Sequence, residues 1–266
     1  MPRLGVVGLV SLDRVDGGLP RLGGAPTYAA RALGLLGHPA VLATKLAPED
    51  RPRLAALGHP VAWRPAASTI RFRIENRGDG RSLALEELGD PWTPDDARGW
   101  LAAALGGCDW VHAGALTRAD FDAATLAALR RGRRLSLDGQ GLVRPAETGE
   151  VVLDGGLDPE ILEHVDLLKL SREEADALGL GADESLRSLG VPEVVLTLGR
   201  EGTVVYAGGE LAGVRARPLE GVDPTGAGDA FTAAYLSFRL RRHGPRSAAQ
   251  LATGIVDALL SRWSGR

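Results

Sequence analysis

Asp223-Pro224-Thr225-Gly226-Ala227-Gly228-Asp229 runs without a break into Ala230-Phe231-Thr232-Ala233-Ala234-Tyr235-Leu236: a glycine-rich turn that ends in a carboxylate and opens into an apolar helical stretch. Glycines at 226 and 228 tolerate positive φ and let an anion reach the backbone without meeting a Cβ. The unpaired N–H groups of a first helical turn, reinforced by the helix dipole, make an anion seat, and the same field favours the ionised form of Asp229. The plainer reading of these residues makes Thr225 an N-cap and Asp229 a favourable first-turn acid.

Outward from this turn, short apolar β-type runs alternate with alanine- and leucine-rich helical stretches, the pattern of a parallel sheet covered on both faces. Strands are predicted at 4–11, 39–46, 109–114, 134–138, 165–170, 193–198 and 202–207, and helices at 25–37, 94–105, 119–131, 172–179, 227–242 and 246–262. The interval 61–88 breaks the rhythm. Thr69 to Glu75 alternates apolar and polar, Asn76-Arg77-Gly78-Asp79-Gly80 is turn chemistry, and Arg81 to Glu86 alternates again. This is a half-exposed hairpin, suited either to a lid over the carboxyl ends of the sheet or to a peripheral ribbon through which two copies pair. The expected architecture is an α/β three-layer sandwich with a mostly parallel central sheet, one domain over 1–266, carrying 61–88 as an inserted β lid.

Composition narrows the partners. Lys and Arg total 31 against 34 Asp and Glu, a net charge of −3 with both signs interspersed, so no basic stripe marks a nucleic-acid surface. The single cysteine, Cys108, forms no internal disulfide and begins a buried strand, consistent with a reducing cytoplasm. The Met1-Pro2-Arg3 start is too short and wrongly flanked for a signal peptide, and no apolar run approaches a membrane span. Lys45 and Lys169 are the only lysines; neither follows a glycine as a Walker lysine does, which excludes a P-loop kinase. Any phosphoryl transfer is therefore expected to rely on backbone donors and arginine. Gly5-Val6-Val7-Gly8 lacks the spacing of a dinucleotide fingerprint, which disfavours an oxidoreductase.

Five segments between residues 8 and 229, taken in order, resemble the ribokinase-like (PfkB) family of carbohydrate and nucleoside kinases, and the 223–229 turn is the most specific of them. The resemblance implies an ATP-dependent kinase with Mg²⁺, leaves a monovalent-ion requirement open, and assigns roles residue by residue. Asp229 is the base and Gly226, Ala227 and Gly228 the anion hole. Asp13, Gly23 and Gly24 line the acceptor pocket, the carboxylate accepting from substrate hydroxyls. Tyr28 stands where the family usually has Asn and offers a large ring, which leans the acceptor toward a cyclic polyol or an unusual sugar. Gln140, in Asp138-Gly139-Gln140, joins that acceptor set, and Arg144 would stabilise phosphoryl charge. Glu174 of Ser171-Arg172-Glu173-Glu174 would organise Mg²⁺ and its waters, with Ser171 replacing the family's Asn; read alone, that segment is a capping box. Thr197, Gly199, Gly202 and Thr225 would flank the nucleotide.

Sugars, inositol-like polyols and nucleosides all remain open as acceptors. A non-catalytic nucleotide or sugar sensor on the same fold is the alternative in a different class. The chain is expected to act in the cytoplasm, without nucleic-acid or membrane partners, and to pair as a homodimer through the lid.

Overall fold

The computed structural model describes residues 3–77, 80–180, 184–217 and 222–264. Gly78 and Asp79 of the predicted hairpin turn lie outside the described residues.

The large sheet has nine strands. In chain order its members are β1 (Arg3–Gly8), β4 (Ala40–Leu46), β5 (Val61–Pro65), β8 (Cys108–Gly114), β9 (Arg134–Asp138), β11 (Leu167–Ser171), β12 (Glu193–Thr197), β13 (Thr203–Ala207) and β14 (Glu210–Val214). Their spatial order is β14-β13-β12-β11-β9-β8-β1-β4-β5, parallel from β5 to β12 and antiparallel at the β13–β14 edge. Burial on both faces explains why the parallel strands read as apolar runs rather than alternating ones. In β1, Val6 packs into one core cluster with Tyr28, Leu33, Phe231 and Tyr235, while Val7 packs into a second with Trp92, Leu101, Phe121 and Leu126. Helices therefore cover both faces, as the alternating pattern implied.

Two helix boundaries shift for local reasons. The single helix expected at 94–105 is two, Pro94–Arg98 and Trp100–Ala104, meeting at Gly99, where φ −91 and ψ −110 break the ladder. A Cβ at Gly99 would come 2.8 Å from the Asp95 carbonyl oxygen. The helix expected from 119 starts at Ala123, because the Asp122 side chain caps it through the Thr125 N–H.

A second sheet of five strands has the order β10-β7-β6-β2-β3, built from β2 (Ser11–Val15), β3 (Arg21–Gly23), β6 (Arg71–Arg77), β7 (Gly80–Glu87) and β10 (Gly149–Glu150). The predicted hairpin is its β6–β7 core. Residues 61–65 pair with β4 in the large sheet instead, and the hairpin recruits β2 and β3 from the amino end. Asp13 thus lies on β2 of the second sheet, a few residues beyond the carboxyl end of β1. Among the described residues no helix is long and apolar enough to cross a membrane.

His38 and His112 are buried, and burial pushes each imidazole down to about 4. His112 keeps one partner, Ser136 Oγ, 3.0 Å from its Nδ1. The unfolded imidazole titrates near 6.5, so between that pH and 4 the unfolded chain binds more protons. The contribution of a buried neutral imidazole is whole above pH 6.5 and drains away as the pH falls toward 4. Denaturant titrations should show His112→Asn losing less stability than the parent chain between pH 7 and pH 5; an identical pH dependence would refute this account.

Candidate active site

The helix Ala227–Leu240 begins at Gly226, whose φ of 78 only glycine adopts cheaply, and no side chain caps its first turn. Thr225 is not the N-cap: its N–H and hydroxyl both turn back to Asp223 Oδ1. The Ala227 N–H donates to Pro224 O and the Ala230 N–H to Gly226 O. Between them, the N–H groups of Gly228 and Asp229 find no backbone acceptor among the described residues. Uncapped donors at the mouth of a 14-residue helix are groups that could receive an anion.

Three close approaches require glycine here. A Cβ on Gly226 would meet the Tyr28 ring at 2.0 Å, one on Gly23 would meet Asp13 Oδ2 at 1.9 Å, and one on Gly139 would meet Glu174 Oε2 at 2.7 Å. The ring of Tyr28 therefore packs against Gly226 at the start of the 227–240 helix, and the Asp13 carboxylate packs against Gly23, just ahead of the helix Ala25–Leu36. Tyr28 feels the charges of Asp13, Arg21, Asp229 and Arg31, so the phenol lies near both Asp13 and Asp229. Asp13 Oδ1 is buried without a hydrogen-bond partner, and burial raises the Asp13 pKa.

On the other side of Asp229 stand Asp138 at the end of β9, Lys169 on β11 and Glu174. The sheet register pairs Lys169 with Asp138. Lys169 Nζ lies 3.5 Å from Asp138 Oδ2 and 3.7 Å from Glu174 Oε2. Ser171 and Glu174 do form the capping box, with Glu174 Oε2 accepting from the Ser171 N–H at 2.7 Å. The Arg144 guanidinium sits 5.6 Å from the Phe72 ring of the lid sheet, its Nε is buried without a partner, and it faces Glu174, Asp138, Asp229 and Asp120.

The electrostatics correct one expectation. The helix dipole was expected to favour ionised Asp229, but its carboxyl is pushed up to about 7 by burial first and by the Asp138 charge next, with Lys169 and Arg144 opposing. Burial alone would lower the Lys169 pKa; the Asp138, Glu174 and Asp229 carboxylates more than reverse that and raise it. An ammonium is thus part of this site, whereas the sequence pointed to backbone donors and arginine alone.

Of the remaining predicted residues, Gln140 opens the short helix Gln140–Val143 and donates its backbone N–H to Asp138 Oδ1 at 3.1 Å. Thr197 gives its hydroxyl proton to Leu170 O at 3.1 Å, inside the sheet. Gly199 and Gly202 form the β12–β13 turn, and Gly202 is demanded by packing, since a Cβ there would meet Val214 O at 2.0 Å. These three belong to the antiparallel edge, whereas Asp13, Gly23, Gly24, Tyr28, Arg144, Glu174 and 226–229 converge. Sequence reading missed Asp138 and Lys169 as site residues; the signal that finds them is the parallel register of β9 and β11.

Among the described residues no group of three or more His, Cys, Asp or Glu side chains is arranged to hold a metal ion. Asp138 and Glu174 still suit Mg²⁺ as that ion is usually held, by one or two carboxylates with water and phosphate oxygens completing the shell; Asp138 Oδ2 accepts no hydrogen bond.

Comparison with known proteins bears on the family and the fold. Residues 156–259 match the pfkB family carbohydrate kinase pattern. A pyrophosphate-dependent kinase in the ribokinase family, solved with a pyrophosphate analog and myo-inositol, superposes with a TM-score of 0.83 at 28% identity, covering 97% of this chain and 95% of that one. A pyrophosphate-dependent myo-inositol-1 kinase converted by mutation into a myo-inositol-3 kinase superposes with a TM-score of 0.80 at 30% identity, covering 97% of this chain and 92% of that one. Inositol 3-kinase of Zea mays is 35% identical over 50% of this chain and 35% of its own length; the first curated relatives matched are covered over 24% to 49% of their lengths. The chain belongs to the pfkB family of carbohydrate kinases.

Because the folded pKa of Asp229 lies above its ordinary value, its ionisation opposes folding: the penalty grows as pH rises from about 4 and is complete only above 7. Asp229→Asn should raise stability by on the order of 1–4 kcal/mol at pH 8 and by much less at pH 5, read by urea denaturation at both values. Gly226→Ala should lose about 1–3 kcal/mol to backbone strain, before any displacement of Tyr28 is counted.

Proposed function

We propose that this protein transfers a phosphoryl group to a hydroxyl of a cyclic polyol of the inositol class. The observation that carries the reading is the pair of buried carboxylates, Asp13 and Asp229, both close enough to Tyr28 for their charges to act on it. Asp13 has an oxygen to accept from a substrate hydroxyl, and Tyr28 stands beside it as an aromatic neighbour. The Gly228 and Asp229 amides hold the terminal phosphoryl group in line with that hydroxyl. Asp229 takes the hydroxyl proton as the new O–P bond forms and the donor's bridging P–O bond breaks. Positioning and charge stabilisation dominate such a loose transition state, so a weak base suffices. Mg²⁺, held by Asp138 and Glu174 with the donor, would supply neutralising charge. The full-length resemblance to proteins described with myo-inositol supports the acceptor class.

ATP is the donor that the family implies. Inorganic pyrophosphate is a second reading, favoured by the two superposable kinases described as pyrophosphate-dependent. We place the activity in the cytoplasm, which suits a chain whose one cysteine is buried and free.

Phosphorus NMR of the protein with myo-inositol, ribose or cytidine, each with ATP–Mg²⁺ or pyrophosphate–Mg²⁺, tests the reading. Inositol phosphate is expected, and silence with every acceptor and both donors overturns it in favour of a sensor. Asp229→Asn should lower turnover by ~10²–10⁴-fold with donor binding nearly intact, whereas Asp13→Ala should act mainly on the acceptor KM. Since the base works ionised, kcat/KM for the acceptor should climb with pH up to about 7, the value for Asp229, and level off beyond it.

A further inference from the structure

β8 carries a histidine between two apolar neighbours, Val111 and Ala113. His112 is 0% exposed, as are Ser136 and Asp138 on β9. It shares with Trp110 the face of β8 that packs with Tyr28 and Phe231. The parallel register sets His112 opposite Ser136, whose hydroxyl oxygen lies 3.0 Å from Nδ1 and 3.4 Å from Val111 O. The shorter contact is to the ring, and a hydroxyl proton given to Nδ1 leaves the ring's own proton on Nε2. That nitrogen is buried without a hydrogen-bond partner.

The direction of Nε2 follows from Gly114, the next residue on the same face of the strand. A Cβ at Gly114 would come 3.6 Å from Nε2, so the ring leans toward the carboxyl end of β8. Ala113 pairs with Leu137, which sets Gly114 level with Asp138. Asp138 Oδ2 is also buried without a hydrogen-bond partner, while Oδ1 accepts from the Gln140 N–H. The Asp138 charge is close enough to act on the imidazole. A donor and an acceptor, both unpartnered, are thus set near one another on one face of the sheet without meeting directly. Buried polar groups in that relation are joined by an ordered water.

We propose that His112 is a positioning residue for Asp138 and acts through one bound water: Nε2–H donates to the water, and the water donates to Asp138 Oδ2. The carboxylate is then held at both oxygens, Oδ1 by the Gln140 amide and Oδ2 by the water, with lone pairs left for Lys169 and the hollow. The inference rests on the kinase reading above for what Asp138 does there, since a carboxylate fixed in this way needs no reorientation to accept Mg²⁺ beside the phosphoryl donor. His112 itself touches neither substrate nor metal, and its effect is carried by orientation.

A high-resolution crystal structure of the wild-type protein is expected to show one water within hydrogen-bond distance of both His112 Nε2 and Asp138 Oδ2. Long-range proton–nitrogen correlation on ¹⁵N-histidine protein should report the Nε2–H tautomer for His112, assigned by the loss of its signals in His112→Gln. A dry gap between the two atoms, or the Nδ1–H tautomer, overturns the proposal. His112→Phe keeps a ring and removes both nitrogens. It should weaken Mn²⁺ binding about 10–100-fold, read by electron paramagnetic resonance with imidodiphosphate and separately with β,γ-imido-ATP, and lower kcat while leaving the acceptor KM within about threefold. His112→Gln, whose side-chain amide can still donate, should recover part of the Mn²⁺ affinity. A folded His112→Phe protein with wild-type Mn²⁺ affinity overturns the proposal, as does a wild-type protein that binds no Mn²⁺ with either analogue; if His112→Phe does not fold, the wild-type water and tautomer decide. Wild-type turnover on the acceptor panel is measured alongside. Its absence sinks the kinase reading, while the water and the Mn²⁺ affinities still answer whether His112 positions Asp138.

Discussion

Three carboxylates, Asp138, Glu174 and Asp229, are buried close enough to repel one another, and their mutual repulsion is the constraint that the rest of the site answers. Water solvates none of them well, so each must find a cation, donate its burden to a backbone N–H, or hold a proton. Glu174 accepts from Ser171 N–H, Asp138 Oδ1 from Gln140 N–H, and Lys169 lies between the two. Asp229 is left with the third solution and rises to about 7. Its basicity is thus a consequence of burial first and then of the negative charge that the fold packs beside it.

The acceptor side is governed by shape. Gly23, Gly24 and Gly226 exist because Asp13, the backbone of Leu9 and Tyr28 occupy the space that their Cβ atoms would take. A glycine at each position lets the 25–36 and 227–240 helices approach their neighbouring segments closely. The lid sheet is therefore part of the site's construction: β2 supplies Asp13, and β6 supplies Phe72 against Arg144.

What the sequence revealed followed from the range of the interactions involved. The 223–229 turn was readable because its glycines, its carboxylate and the helix behind it are contiguous, and the parallel strands announced themselves as apolar runs. The β6–β7 hairpin was readable by alternation. The strands β2, β3 and β10, five, three and two residues long, carry too little pattern to separate them from loop, and their membership of the lid sheet is decided by partners far along the chain. Lys169 looked like one polar residue in a buried strand. Its meaning depends on a register that sets it beside Asp138, 31 positions away, and on Gly228 from a third segment. The shift on Asp229 was unreadable for the same reason: a dipole is local to its helix, whereas Asp138 and the burying side chains come from elsewhere.

The donor turn and the lid sheet meet at one further point. Arg21 of β3 donates to Asp223 Oδ2 at 2.9 Å, and Asp223 in turn accepts from the Thr225 N–H that precedes the anion seat. Both side chains are nearly half exposed, so the pair contributes little to stability, with exposed ion pairs typically worth ~0–1 kcal/mol. Its consequence is geometric. Asp223 shapes the turn that sets the direction of the uncapped amides, and a residue of the acceptor-side sheet holds that carboxylate from the far side. The second sheet and the 223–229 turn are thus tied by one partly exposed contact, while Lys169 is buried in the large sheet.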